Sequence, residues 1–163
     1  SAFHGLGFRR YLLMGRRNGL RRMLSHVCAA QTGVYVDHGK SSASGQVPVI
    51  LPTENVVHGF QSSSLLDWLE EYESGHQIIK NALVDWSKRH DDVAWLELTY
   101  EDDIELSPLI AYRRVCEFLG LQSEEPILTH RRINRGSLTQ LVANFDEICH
   151  LLQPTRFAWM LQD

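Results

Sequence analysis

The sequence predicts an α/β fold in which a parallel sheet is flanked by helices. Three observations predict it: two short apolar runs with the composition of buried strands, amphipathic helical segments placed between and after them, and no internal repeat. The length of 163 residues, with 44% hydrophobic and 22% charged residues, suits one globular domain, and 1–163 reads as a single domain.

The first strand is Arg10-Tyr11-Leu12-Leu13-Met14, apolar and closed by Gly15. Asn18 then caps a helix in which Leu20, Met23, Leu24, Val27 and Cys28 recur at helical spacing up to Thr32-Gly33. Residues 33–52 carry Gly33, Gly39, Gly45, Pro48 and Pro52 with a serine-rich run, the composition of a long surface loop. From Thr53 the positions Val57, Phe60, Ser64, Leu65, Trp68, Leu69 and Tyr72 return to a helical period, with a break expected at Gly75. A further helix follows from about Gln77 to Arg89.

Val93 to Leu98 reads as the second buried strand, ending in the polar cluster Thr99-Tyr100-Glu101-Asp102-Asp103. Ser107 caps a helix that opens on Pro108 and closes at Gly120. After Pro126 comes the basic stretch His130 to Gly136, and Ser137 opens a last helix carrying Leu138, Leu141, Val142, Phe145, Ile148 and Cys149 on one face. Two strands are few for such a sheet. Edge strands escape this reading, or the sheet is completed from outside the chain, for which a homodimer is one route because open strand edges invite pairing.

Composition narrows the function. A net charge of -4 argues against general nucleic-acid affinity, yet residues 1–25 hold six arginines and no acidic residue, which suits a local anion site. No apolar run approaches the roughly 20 residues of a membrane span, and the arginine-rich start lacks the apolar core of a signal peptide. Cys28, Cys116 and Cys149 are dispersed on helical apolar positions, which fits buried free thiols and a reducing, cytoplasmic setting. The histidines show no shared ligand spacing, so no metal is expected.

The strongest local signal is the strand, turn and helix around Gly15 to Ser25. At the carboxyl end of a parallel strand, the free amides of the next helix meet anions. Arg17 lies at that end and can take a phosphate in a bidentate grip, while Ser25, two turns into the helix, can add a hydroxyl. The plain alternative is a solvated arginine and a polar helix residue.

Arg17-Asn18, with Ser25 eight residues after the arginine, resembles the element with which sulfotransferases bind the 3'-phosphate of their donor, 3'-phosphoadenosine 5'-phosphosulfate (PAPS). Downstream, Leu96 to Asp102 resembles that family's strand with a Tyr-Glu-Asp ending, and Ser107-Pro108 to Gly120 its following helix. Asn144-Phe145-Asp146-Glu147 and Pro154-Thr155-Arg156-Phe157 are similar to the tail of its bacterial carbohydrate-type members. The resemblance spans about residues 10–163 and implies an incomplete, N-terminally truncated sulfotransferase (P-loop-like) fold.

It implies sulfuryl transfer from PAPS to an acceptor hydroxyl, with PAP as product, and gives Arg17 and Ser25 the 3'-phosphate. Within the basic stretch, Arg132 and Arg135 are the pair expected to close over the nucleotide; an exposed basic turn is the alternative. Acceptor contacts are expected in residues 33–60. The family's 5'-phosphosulfate loop has no counterpart upstream of Arg10, and Gly33 to Ser41 misses a Walker A loop by one residue between its glycines. The family's general base is commonly His or Glu; His4 is the only upstream candidate, and its ordinary reading is a frayed surface residue. No catalytic residue is therefore assigned. Tyr100-Glu101-Asp102 is expected to cap neighbouring backbone rather than to react. A noncatalytic PAP-binding module and a protein-interaction domain are the competing readings.

Overall fold

A computed structural model describes residues 2–33, 47–58, 61–128 and 136–162. Its architecture is α/β, with a small parallel sheet flanked by helices. The chain divides into two compact units, one comprising residues 1–17 and 73–126, the other residues 18–72 and 127–163. No helix among the described residues is long and apolar enough to cross a membrane.

The first unit opens with the one-turn helix α1 (Ala2–Gly5) and strand β1 (Arg10–Gly15). It continues through the C-terminal part of α3 (Leu65–Arg89), then β4 (Ala94–Thr99), a π-type turn over Tyr100–Ile104, and α4 (Pro108–Leu119). β1 and β4 pair in parallel with Leu13 opposite Glu97 and Gly15 opposite Thr99. Both strands were legible as apolar runs, but burial in β1 alternates. Leu13 is buried, whereas Leu12 and Met14 are 47% and 62% exposed. β1 is thus covered on one face, a period of two rather than a fully buried run.

Gly75 does not break the helix. α3 runs 25 residues through it, because a glycine in a long helix costs only about 1 kcal/mol relative to alanine. α4 begins and ends as expected, although Ser107 sits at the N-cap without a side-chain capping hydrogen bond: Pro108 occupies the first turn, where its missing N–H is harmless, and Gly120 takes φ 71° to close the helix onto the carbonyls of Cys116 and Glu117.

The second unit holds the main apolar core. α2 (Gly19–Thr32) contributes Leu20, Met23, Leu24 and Cys28 to it. Asn18 caps this helix by accepting from the Arg21 N–H at 3.0 Å, and Gly33 ends it with φ 68°. The helix expected from Thr53 is replaced at its start by an antiparallel pair, β2 (Val56–His58) and β3 (Gln61–Ser63), and α3 begins at Leu65. Val56 and Val57, β-branched and adjacent to Asn55 at φ 55°, favour the extended pair over the helical reading.

The long loop also needs correction over its described part. Val49 and Leu51 are buried, and Val49 bridges to Val142 in parallel, with the Val49 N–H donating to Leu141 and the Ala143 N–H to Val49. That bridge divides the expected last helix into α5 (Leu138–Leu141) and α6 (Phe145–Leu152). Asn144 fixes the division: its side chain donates to the Leu51 carbonyl at 2.9 Å and accepts from the Leu51 N–H at 3.0 Å. A 3-10 turn over Ala158–Leu161 follows, with Phe157 and Met160 fully enclosed.

The thiols behave as expected at two of three positions. Cys28 and Cys116 are buried, and Cys149 is half-buried; all three are free. Burial pushes the Cys28 thiol up, and burial with the nearby Asp146 charge does the same to Cys149.

Candidate functional site

In the first unit, the carboxyl end of β1 meets the acidic turn that follows β4. The turn is organised by its own side chains. Thr99 caps it by accepting from the Asp102 N–H, the Thr99 N–H donates to Asp103 at 2.7 Å, and the Glu105 N–H closes the wide turn on the Tyr100 carbonyl. Asp103 is buried and pairs with Arg114 from α4. Burial pushes its carboxyl up, but the Thr99 amide and the Arg114 guanidinium outweigh this and hold it below its ordinary range.

Onto this turn fold the two arginines that follow β1. The Arg16 guanidinium lies over the Tyr100 ring, 4.3 Å from its centroid, with Nε 3.6 Å from Glu101. The Arg17 N–H donates to the same Glu101 carboxylate at 2.9 Å. Its guanidinium makes two parallel bonds to Asp102, at 3.0 and 2.8 Å. Tyr100-Glu101-Asp102 therefore caps its neighbours, as the sequence reading expected. Glu101 positions the backbone, and Asp102 engages the fork that a phosphate would use.

Beneath the end of β1 is a group of side chains that sequence reasoning missed. Glu97 accepts from Lys80 at 2.7 Å and stands 3.2 Å from His76 Nε2. The Lys80 hydrogen bond leads, against burial and with His76 assisting, in holding the Glu97 carboxyl below its ordinary range. A Cβ at Gly15 would lie 2.5 Å from the His76 ring, so glycine is what allows the imidazole to sit there. The available signal was the four-residue spacing of His76 and Lys80 on α3, facing a glutamate inside an otherwise apolar strand.

In the second unit, Ser25 is half-buried and donates to the Arg21 carbonyl one turn back, at 3.0 Å. Asn18 is buried, and besides capping α2 it donates to the Met160 carbonyl at 3.0 Å. Arg21 reaches the Gly136 carbonyl at 3.2 Å, and Arg22 lies over the Tyr72 ring. The tail motifs are structural. Phe157 is core, and Glu147 is held below its ordinary range by hydrogen bonds from Asn144 and Thr53.

Arg17 belongs to the first unit and Ser25 to the second; Arg17 pairs with Asp102 of its own unit, and Ser25 donates to the Arg21 carbonyl of its own. Arg132 and Arg135 lie outside the described residues, as do residues 34–41 of the Walker-like run and 34–46 and 59–60 of the stretch expected to meet the acceptor. His4 is not frayed: it is half-buried in α1, beside His90, Asp92 and Trp86. Set against protein-family models, curated proteins and solved structures, the chain matches none.

Proposed function

We propose that this chain binds the 3'-phosphate of an adenosine 3',5'-bisphosphate group through Arg17, and that it belongs to the sulfotransferases that move a sulfuryl group from PAPS to an acceptor hydroxyl. The observation that carries the reading is the state of Arg17. Its backbone is pinned by Glu101, while its guanidinium presents a bidentate fork to Asp102, with both side chains more than half exposed at 55% and 58%. An exposed ion pair of this kind contributes only about 0–1 kcal/mol. A phosphate dianion offers the same fork more charge and a third oxygen, so it can displace the carboxylate.

The order and spacing of the surrounding motifs support the donor assignment. Arg17-Asn18 with Ser25, the Tyr-Glu-Asp ending of β4 and the helix opened by Ser107-Pro108 follow one another as they do in that family. In the reaction, the acceptor hydroxyl attacks sulfur in line, and cationic groups take up charge on the departing phosphate. Arg17 acts on the nucleotide rather than on the sulfuryl group.

The test is calorimetric titration of the purified chain with PAP and with AMP. The reading expects PAP to bind more tightly than AMP, Arg17→Ala to abolish the difference, and Asp102→Asn to strengthen PAP binding by releasing the fork. Equal affinity for the two nucleotides, or PAP binding untouched by Arg17→Ala, would replace it with the interaction-domain reading. PAP binding without sulfuryl transfer to any of a panel of hydroxyl acceptors would leave a noncatalytic nucleotide-binding module.

A further inference from the structure

We infer that His4, His90 and Asp92 form a divalent transition-metal site of the zinc class. The three come from separate places in the first unit: the short helix α1, the residue after α3, and the turn leading into β4. Each offers one ligand atom, and the three atoms lie within 4.8 Å of one another. Two nitrogens and one carboxylate oxygen are the donor set of many zinc sites, and a fourth position stays open for water or substrate.

The spacing also suits an ion. His4 Nε2 and Asp92 Oδ1 are 3.4 Å apart, a long hydrogen bond. Two ligand atoms each about 2.1 Å from a tetrahedral ion are about 3.4 Å apart. The His4 and His90 ring centroids lie 4.6 Å apart.

The surroundings are those of a built site. Arg9 takes the other carboxylate oxygen, Oδ2, at 2.5 Å, leaving Oδ1 on the His4 side. The same guanidinium donates to the His4 carbonyl at 2.7 Å, so one side chain orients two of the three ligands. Trp86 packs against both imidazoles, with ring centroids 5.9 Å from His4 and 5.4 Å from His90, and supplies an apolar wall. The expectation of no metal came from spacing along the chain, and such spacing cannot bring residue 4 beside residues 90 and 92.

The site is independent of the proposed nucleotide function, and so is its test. Tag-free chain, stripped with chelator, would be titrated with zinc chloride by calorimetry, and cobalt(II) absorption would report the coordination geometry. The expected result is one ion per chain, a visible cobalt d–d spectrum, and a rise in Tm on adding zinc. His90→Ala and Asp92→Asn should each weaken binding by more than about tenfold, because even outer-sphere changes cost about that much. His26→Ala, exposed on α2, should bind like the parent. His4→Ala guards against misfolding, since it alters one side chain of a single-turn helix, and it should remove the cobalt spectrum while the circular dichroism is unchanged. Zinc affinity equal in parent, His4→Ala, His90→Ala and Asp92→Asn would overturn the inference, as would the absence of saturable binding at one ion per chain.

Discussion

Each of the two units is held together internally by different physics. The second buries a continuous apolar cluster in which Leu20, Leu24, Leu51, Leu65, Leu69 and Phe157 are almost wholly enclosed. The first has few fully buried aliphatic side chains, chiefly Leu13, Val93 and Leu98, and ties its elements together with charged groups: Asp103 to Arg114, Glu97 to Lys80 and His76, Arg17 to Asp102. Apolar burial is non-directional and tolerates substitution of similar volume, whereas paired charges must be met one by one. The unit held by directional contacts is also the one in which the exposed pair of Arg17 and Asp102 lies. Groups able to change partners are what a ligand can recruit, and an aliphatic core offers none.

The sharpest way to break this comparison is to remove a large core side chain. Phe157→Ala should cost about 3–5 kcal/mol by urea denaturation, the usual range for a buried aromatic; a loss below about 1 kcal/mol would mean that the second unit does not depend on its apolar cluster. Next in size is Asp103→Asn in the first unit. It weakens the pairing of Arg114 and leaves the Thr99 N–H facing a neutral group, at an expected cost of about 1–3 kcal/mol at neutral pH.

The same aspartate makes stability depend on pH. Its folded pKa lies below the unfolded value of about 3.9, so between the two the unfolded chain binds more protons and stability rises with pH. The contribution is fully present above about pH 4 and is lost as pH falls through the folded pKa. Glu97 adds to this in the same direction. Thermal melts from pH 6 to 3 should therefore fall less steeply for Asp103→Asn than for the parent, and equal slopes would remove the pairing from the account.

A smaller effect, about 1 kcal/mol, is expected for Gly15→Ala, whose new methyl group must push the His76 ring off its place. His76→Ala should relieve it. A double-mutant cycle showing no coupling between the two positions would mean that the imidazole does not rest on Gly15. The smallest change in stability is predicted for Arg17→Ala, no more than about 1 kcal/mol, because its pair with Asp102 is exposed. If Arg17→Ala proves as costly as Asp103→Asn, the fork is a structural fastening and not an exchangeable one.

Local chemistry made several elements legible without the fold. Asn18 and Gly33 bracket α2, Pro108 and Gly120 bracket α4, and apolar runs mark β1 and β4. Each depends on interactions within a few residues, where propensity and capping act directly. Arg17 was legible for the same reason, since the end of a strand before a capped helix is a local feature. The split between α5 and α6 was not, because it answers to a distant partner, and the hairpin at 56–63 and the unbroken α3 were not, because the local pattern there admitted more than one reading. Asn144 reads as an ordinary cap until its amide is seen on the backbone of Leu51, 93 residues away.

By itself, the sequence determined the α/β class, the capped helices and the arginine that follows β1, all consequences of short-range sterics and hydrogen bonding. Only the tertiary structure decided that Asp102 would hold that arginine, that His76 and Lys80 would meet on Glu97, and that positions 4, 90 and 92 would converge. Those contacts join residues 17 to 88 positions apart. Local preference carries no information across such separations; packing and charge pairing in the folded chain supply it.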